Sequence, residues 1–431
     1  MSGEPAGSQS PFSSLGYPAF ARFALGSTLC GVAQFLGGLA TPFLVNQLTD
    51  SNSWVGAASF AALIPSVIGT PFVGTLADRM DRRLLLLAGL SFQILAMVAM
   101  LVLYETGRLT PWIILGLNFA GGSAASFQWA PTQSMAAVLV PRESLAAAVR
   151  MVSISFTVGR SIGPLVAALT LAFGGPGLAF AVCLGIYVAG FIVLTTVRTD
   201  WSPIASSGSL RAQFRDGVAY VRDRPEMRLA FRLAFTVAAL GAVFAFSLAA
   251  GIADDLFALG GGGLGALSTS AGVGSLIGSV YISRAGAHVE RSVMELRSIV
   301  IYGIGLVVVA ASGWLAIGMV GYLCIGLAHM LHGTTLSTAL QMRVDEAYRG
   351  RVMSVFLVAI LSGIPIGGLL FGILGDLVGM RWVVLGAGVL LLGDAMALQH
   401  RGLLEMLNHE PEADSGTKSV AVAEPLDSGD D

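Results

Sequence analysis

The chain has 431 residues, 55% of them hydrophobic and 12% charged, with a formal net charge of −2. A charged fraction about half that of a soluble domain excludes a water-soluble core for most of this sequence and points to lipid as its solvent. The near-neutral balance offers no footprint for nucleic acid, and the three cysteines, Cys30, Cys183 and Cys324, lie inside apolar runs without metal-ligand spacing, as packing residues do.

Residues 1–16 form a polar tail without the basic start, short apolar stretch and small-residue cleavage site of a signal peptide, so the first helix must drive insertion. Apolar runs follow at 20–46, 54–77, 83–104, 111–137, 146–173 and 177–197, each long enough to cross about 30 Å of hydrocarbon as a helix. After a polar break they resume at 229–253, 263–283, 296–314, 316–340, 352–375 and 382–399. The expected fold is therefore an all-α membrane protein of twelve spans in two sets of six, 17–198 and 228–402. If the N-terminus is cytoplasmic, the loops on that side hold Arg79, Arg82, Arg83, Arg142, Arg284, Arg291, Arg343 and Arg349, whereas the other side shows little beyond Arg108 and Arg381. This bias places both termini in the cytoplasm. The break at 199–227 begins with Pro, Ser and Gly and continues with apolar residues among arginines, as expected of a cytoplasmic hinge leading into an amphipathic helix on the membrane surface. The tail at 403–431 is acidic, poor in aromatics and expected to be disordered.

A shift of 201 residues lays 150–175 over 351–376, matching Arg150 with Arg351, Ser161 with Ser362, Pro164 with Pro365 and Gly174 with Gly375. The fifth span of each set is then the same element of two parallel repeats related by an axis along the membrane normal. The register separates two arginines. Arg150 and Arg351 sit at the cytoplasmic mouth, where long side chains reach water, whereas Arg160 lies about 15 Å further along the helix, opposite Leu361. An intramembrane arginine faces a water-filled cavity or braces neighbouring helices, and both readings stay open.

Between the second and third spans runs GTLADRMDRR, with Gly74, Leu76, Ala77, Asp78, Arg79, Arg82 and Arg83. It resembles the signature loop of the major facilitator superfamily, G-x-L-A-D-R-x-x-R-R/K. VPRESLAAA at 140–148, GRSIGP at 159–164 and RGRVMS at 349–354 are similar to the branch that includes enterobactin and macrolide exporters. The resemblance implies two six-helix bundles, alternating access and a monomer that moves a small amphipathic organic molecule, with protons as the coupling partner and lipids around it. It also implies a cytoplasmic latch in which Asp78 accepts from the start of the eleventh span, near Arg349 and Arg351, while Arg79, Arg82 and Arg83 bind carboxylates or lipid phosphates. A siderophore or metal-chelate carrier, or a non-transporting sensor or assembly component, are the alternatives.

The first span departs from the family: Val32 stands where relatives often carry an acid, and Gln34 keeps a polar group nearby. Arg160, Gln34, Gly163 and Pro164 are the candidates for the substrate cavity. His329 and His332, three residues apart on one helix face, and Asp394, read as the only acid well inside an apolar run, are the candidates for proton coupling. No phosphate-binding loop, enzyme constellation, cofactor site or metal site stands out, so the chain is read as no enzyme. Asp78→Asn is expected to leave expression intact and strongly reduce transport; normal transport at normal expression would remove Asp78 from the gate.

Overall fold

The structure, a computed structural model, describes residues 11–198, 210–285, 288–345 and 348–408. The side chains of 11, 70–79, 129–130, 133–134, 137, 210–213 and 349 are outside it. The expectations for Gly74, Asp78, Arg79 and Arg349 therefore lie beyond the described residues, as do those for the hinge at 199–209 and the acidic tail from 409 onward.

Every described element is helical. The N-terminal half contains α1 (Pro18–Thr49), α2 (Asn52–Arg79), α3 (Arg82–Glu105), α4 (Pro111–Leu139) and α5 (Leu145–Thr195). At 51 residues α5 is about twice the length that crosses a bilayer, and it turns back at Gly175, whose φ of 66° is open to glycine and strained for other residues. α6 (Leu210–Arg222) is the amphipathic linker helix. The seventh unit, α7, starts as Pro225–Val237, passes through a π-helical turn at Ala238–Ala242 into Val243–Phe246, and resumes as Ala249–Asp255. Then come α8 (Gly261–Ala285), α9 (Arg291–Ala311), α10 (Leu315–Arg343), α11 (Arg349–Val378) and α12 (Met380–His400). Ten helices are long and apolar enough to span a membrane; with α5 counting twice and the 29-residue α4 added, the described chain accommodates twelve crossings.

The second half repeats the packing of the first. Gly159 of α5 lies on Gly31 of α1, and in the other half Gly363 and Gly367 of α11 lie on Ala238 and Ala239 of α7. Gly122 of α4 sits against Ala62 of α2, and Gly326 of α10 against Ala271 of α8. Small residues let backbones approach where lipid provides no hydrophobic drive for helix association. The pairing expected from the aligned Pro164 and Pro365 is thus met: each lies inside the helix that packs on the first helix of its own half. Leu95, Phe173, Leu377 and Met396 are exposed, as a lipid-facing surface requires. Trp112, Trp314 and Trp382 are exposed at helix starts remote from the arginine-rich face of Arg82 and Arg142, where amphipathic rings suit a headgroup layer.

The halves meet through two related crossings, α2 with α11 and α5 with α8, near the face opposite the arginines. Gly56 abuts the Gly368 backbone and Gly372 abuts Asn52, while Ala168 fits against Gly265. A side chain at Gly56 would overlap the Gly368 carbonyl. Gly56→Leu is therefore expected to hold this face apart, leaving expression intact and abolishing transport; cross-linking between cysteines placed at 46 and 254 would fall with it. Full transport by the variant would show that closure here is dispensable.

Candidate functional site

Polar groups gather at two depths. The first cluster closes the face opposite the arginines. Asp376, near the end of α11, accepts from the backbone N–H of Asn52 at 2.7 Å and of Ser53 at 3.0 Å, and from the hydroxyls of Ser51 at 2.6 Å and of Ser53. These are free donors of the first turn of α2, so a carboxylate from one half caps a helix of the other. Beside it, Asn46 donates to Asp254 at 3.0 Å and Asn52 to Asp255 at 2.8 Å. The pair Asp254 and Asp255 thus faces the N-terminal half. Burial, with Asp254, Asp50 and Asp376 close by, raises the Asp255 carboxyl above the ordinary carboxylate range, while the bond from Asn52 pulls the other way. All of these bonds join the two halves at this one face.

The second cluster lies deeper. Arg160 is ~22 Å along α5 from Leu145, and its guanidinium carbon stands 5.4 Å from the ring centre of Phe246, on α7 of the other half. The His329 ring meets the same phenyl edge-on at 5.2 Å, and its Nδ1 is 3.4 Å from the Tyr302 hydroxyl of α9. The Arg160 charge acts on both Tyr302 and His329. Among the described residues Arg160 has no carboxylate within ion-pair distance and no hydrogen-bonded carbonyl. A bracing arginine ordinarily uses its fork on such acceptors.

His329 and His332 share a helix face as expected but serve different neighbours. His332 Nδ1 is 2.7 Å from Oε1 of Glu295, a fully buried carboxylate on α9. The expectation that Asp394 is the only acid well inside an apolar run is therefore wrong. The apolar run spans 296–314, whereas α9 starts at Arg291 and takes Glu295 into the helix. A usable signal was present: Glu295, Ile299, Tyr302, Leu306 and Val309 fall at helical spacing and all five are completely buried. Asp394 itself is paired with Arg232 of α7, both carboxylate oxygens lying within 3.2 Å of Nη2.

Other expected residues take more local tasks. Arg83 donates to the Thr195 carbonyl at 2.6 Å, tying the start of α3 to the end of α5 within one half, so this side chain is no link between halves. Asp81, passed over in the sequence, caps α3 by accepting from the Arg83 N–H. Arg82 is half-buried with no described ion pair. Gly163 does not line open space: a Cβ there would come within 2.6 Å of Phe35, because it forms the close α1–α5 crossing. Pro164 follows it inside α5, and Gln34 is exposed on α1. In the N-terminal half a neutral chain, Gln128 to Gln93 to the Tyr187 hydroxyl, supplies the buried polarity.

Arg351 reaches Asp216 of α6 at 3.3 Å, and Tyr220 stacks on Tyr348 at 5.0 Å and donates to Asp345. Burial pushes the Tyr220 phenol up from its ordinary value. The amphipathic helix is thereby held on the start of α11 by polar contacts, in addition to any surface it offers lipid. Among the described residues no group of His, Cys, Asp and Glu could hold a metal ion.

Two repeated sets of membrane-spanning helices, joined at one face by polar contacts, define a polytopic membrane protein of two related helical bundles. The chain belongs to the major facilitator superfamily: residues 9–429 match its family of transmembrane secretion effectors, which makes it a transporter and no enzyme. It is similar to the staphyloferrin A transporter of Staphylococcus aureus (strain NCTC 8325 / PS 47), 23% identical over 83% of this chain and 90% of the relative. The macrolide efflux protein A of Streptococcus pyogenes is also 23% identical, over 82% of this chain and 88% of its own length. In architecture the chain resembles the crystal structure of the nucleoside transporter NupG, with a TM-score of 0.71 at 13% identity over 91% of this chain and 100% of that one.

The Asp376 cap provides a direct test of the closed face. Charge-assisted hydrogen bonds contribute about 1.5–3 kcal/mol each, so Asp376→Asn should shift the population toward an opening of the face opposite the arginines by at least about tenfold. Spin-label distances between the ends of α2 and α11 measure that shift; unchanged distances with reduced transport would place Asp376 outside the gate.

Proposed function

We propose that the chain exports a small anionic or neutral organic molecule across the bacterial inner (plasma) membrane in exchange for protons. Two bundles, 17–198 and 228–402, rock about a site at mid-depth, with the arginine-rich face and both termini in the cytoplasm. The protein works as a monomer surrounded by lipid. The observation that carries the substrate assignment is Arg160, at the boundary of the halves without an acidic partner among the described residues.

Transporters of cations need an acid near the ligand to offset a desolvated positive charge, and here the described neighbours of Arg160 are Phe246, His329 and Tyr302. A guanidinium beside aromatic rings suits a carboxylate, catecholate or phosphate on an apolar frame. The relatives named for staphyloferrin A and for macrolides support a siderophore or a macrolide-like molecule as the class to test. Siderophore carriage is the alternative closest to this reading, and it differs only in whether the chelate or the free organic molecule is moved.

A second reading has its own observation. The contact of Arg160 with Phe246 across the halves fits a brace, since a cation over an aromatic face contributes about 0.5–2 kcal/mol. The variants separate the two. In inverted vesicles energised by a proton gradient, a catecholate siderophore, a hydroxycarboxylate siderophore, a macrolide and the cation ethidium are compared. Arg160→Ala should abolish uptake of the anionic member. Arg160→Lys should retain uptake with affinity weakened about tenfold, the equivalent of ~1.4 kcal/mol. Efficient ethidium transport, indifferent to Arg160→Ala, would overturn the anion assignment. A loss of thermal stability in Arg160→Lys without any change in selectivity would make Arg160 a brace.

A further inference from the structure

We propose that Glu295 and His332 form the proton-binding site of this transporter, inside the C-terminal half, in place of an acid in α1. The inference rests on the reading of the chain as proton-coupled and names where that coupling proton is held.

The geometry distinguishes this pair from the other carboxylates described. Asp376 is surrounded by four donors and Asp394 is matched to an arginine, whereas Asp254 and Asp255 lie at the contact between the halves, each taking an amide of the other half. Permanent cations and rigid donors hold a carboxylate ionised, which suits a gate or a brace and leaves little room for a proton to come and go. Glu295 has no exposed surface, its Oε1 meets His332, and its Oε2 has no hydrogen-bond partner among the described residues. Its single partner is the one side chain whose charge changes near neutral pH.

The remaining charged groups on the helices packed around α9 are engaged or set apart. On α9 itself, Arg291 reaches Met342 and Arg297 donates to Tyr281 of α8. On α10, His329 faces Tyr302, and Arg343 lies at the helix end, where the charges of Arg291 and of Glu226 act on it. On α12, Asp394 is paired with Arg232 of α7, Arg381 caps the far end of α9 through the Ala310 carbonyl, and His400 is the last residue of the helix; Arg228 of α7 is exposed. Glu405 lies on the short helix Leu403–Leu407, which also contacts α9. Arg160, from α5, acts on His329 and Tyr302, the neighbours toward the other half. None of these supplies Glu295 with a fixed counter-cation within ion-pair distance.

Burying a net charge is costly, so the resting pair keeps one proton between Oε1 and Nδ1. Loading adds one proton and release removes the same one; no bond between heavy atoms changes. His332 lies one turn from His329 on α10. The proton site is thereby linked to the Arg160 cluster through adjacent residues of a single helix.

The test needs no substrate. The full chain in liposomes is titrated by infrared difference spectroscopy between about pH 5 and about pH 9. The parent is expected to show a protonated buried carboxyl that titrates, Glu295→Gln to lose that band, and His332→Gln to move its midpoint by at least about one pH unit, a tenfold change in proton affinity. Glu295→Asp, which keeps a carboxyl, should restore a titrating band and guards against misfolding of the amide variant. An unchanged band in Glu295→Gln, or an unmoved midpoint in His332→Gln, overturns the proposal. The two readings fail separately: a parent that transports nothing under a proton gradient while Glu295→Gln removes the band would sink proton-coupled transport and leave the proton site standing. Gradient-driven transport that Glu295→Gln leaves intact would sink the site and leave the transport reading standing.

Discussion

A polar group inside hydrocarbon has only other protein groups to bond, and the organisation of this chain follows from that constraint. It forces every described element into a helix, whose backbone satisfies itself. It also makes each side-chain partner consequential, because an unmet donor or acceptor costs more there than in water. The N-terminal half meets the constraint with the neutral Gln128, Gln93 and Tyr187 chain and places one charge, Arg160, at its boundary; the C-terminal half holds ionisable pairs, Glu295 with His332 and Asp394 with Arg232. Two halves with matching helix packing thus differ in the chemistry of their interiors.

The same constraint bears on how such halves could move. Helix contacts within each half depend on small residues and close backbones, as where Gly159 lies on Gly31, and those surfaces have little to exchange with water. The contacts between halves at the closed face consist of a carboxylate on a helix terminus and two amide–carboxylate bonds, groups that water can solvate once they part. Opening that face exchanges protein hydrogen bonds for hydrogen bonds to water, at a cost of about 1.5–3 kcal/mol for each bond to a carboxylate. A rocking motion in which each half stays intact is consistent with this difference. The Asp376 cap also has a counterpart in the expectation for Asp78: one carboxylate near α11 caps α2, and the other, near the end of α2, is proposed to cap α11.

The linker helix adds a connection of its own. Because α6 is fixed to the start of α11 through Asp216, Tyr220 and Arg351, and Arg224 lies 3.6 Å over the Tyr220 ring, displacement of α11 carries the helix with it. By these aromatic and charged contacts α6 belongs mechanically to the C-terminal half, although the chain enters it from the N-terminal one.

By itself the sequence determined what depends on composition and on neighbours along the chain: the apolar runs that become helices, the arginine bias between faces, the repeat aligning Pro164 with Pro365, the signature around Asp78, and the depth of Arg160. It also contained the helical spacing that buries Glu295 with Ile299 and Tyr302, a pattern masked by the neighbouring Arg291 and Arg297. Tertiary structure alone decided which groups meet. Glu295 and His332, Asp376 and the start of α2, Arg83 and Thr195, and Gly163 with Phe35 lie far apart in the chain, and no local periodicity selects one partner from the several that each could bond. Helix formation in lipid is a local matter of hydrogen bonds four residues apart, whereas pairing of helices is settled by shape and by the few polar groups that have nowhere else to turn.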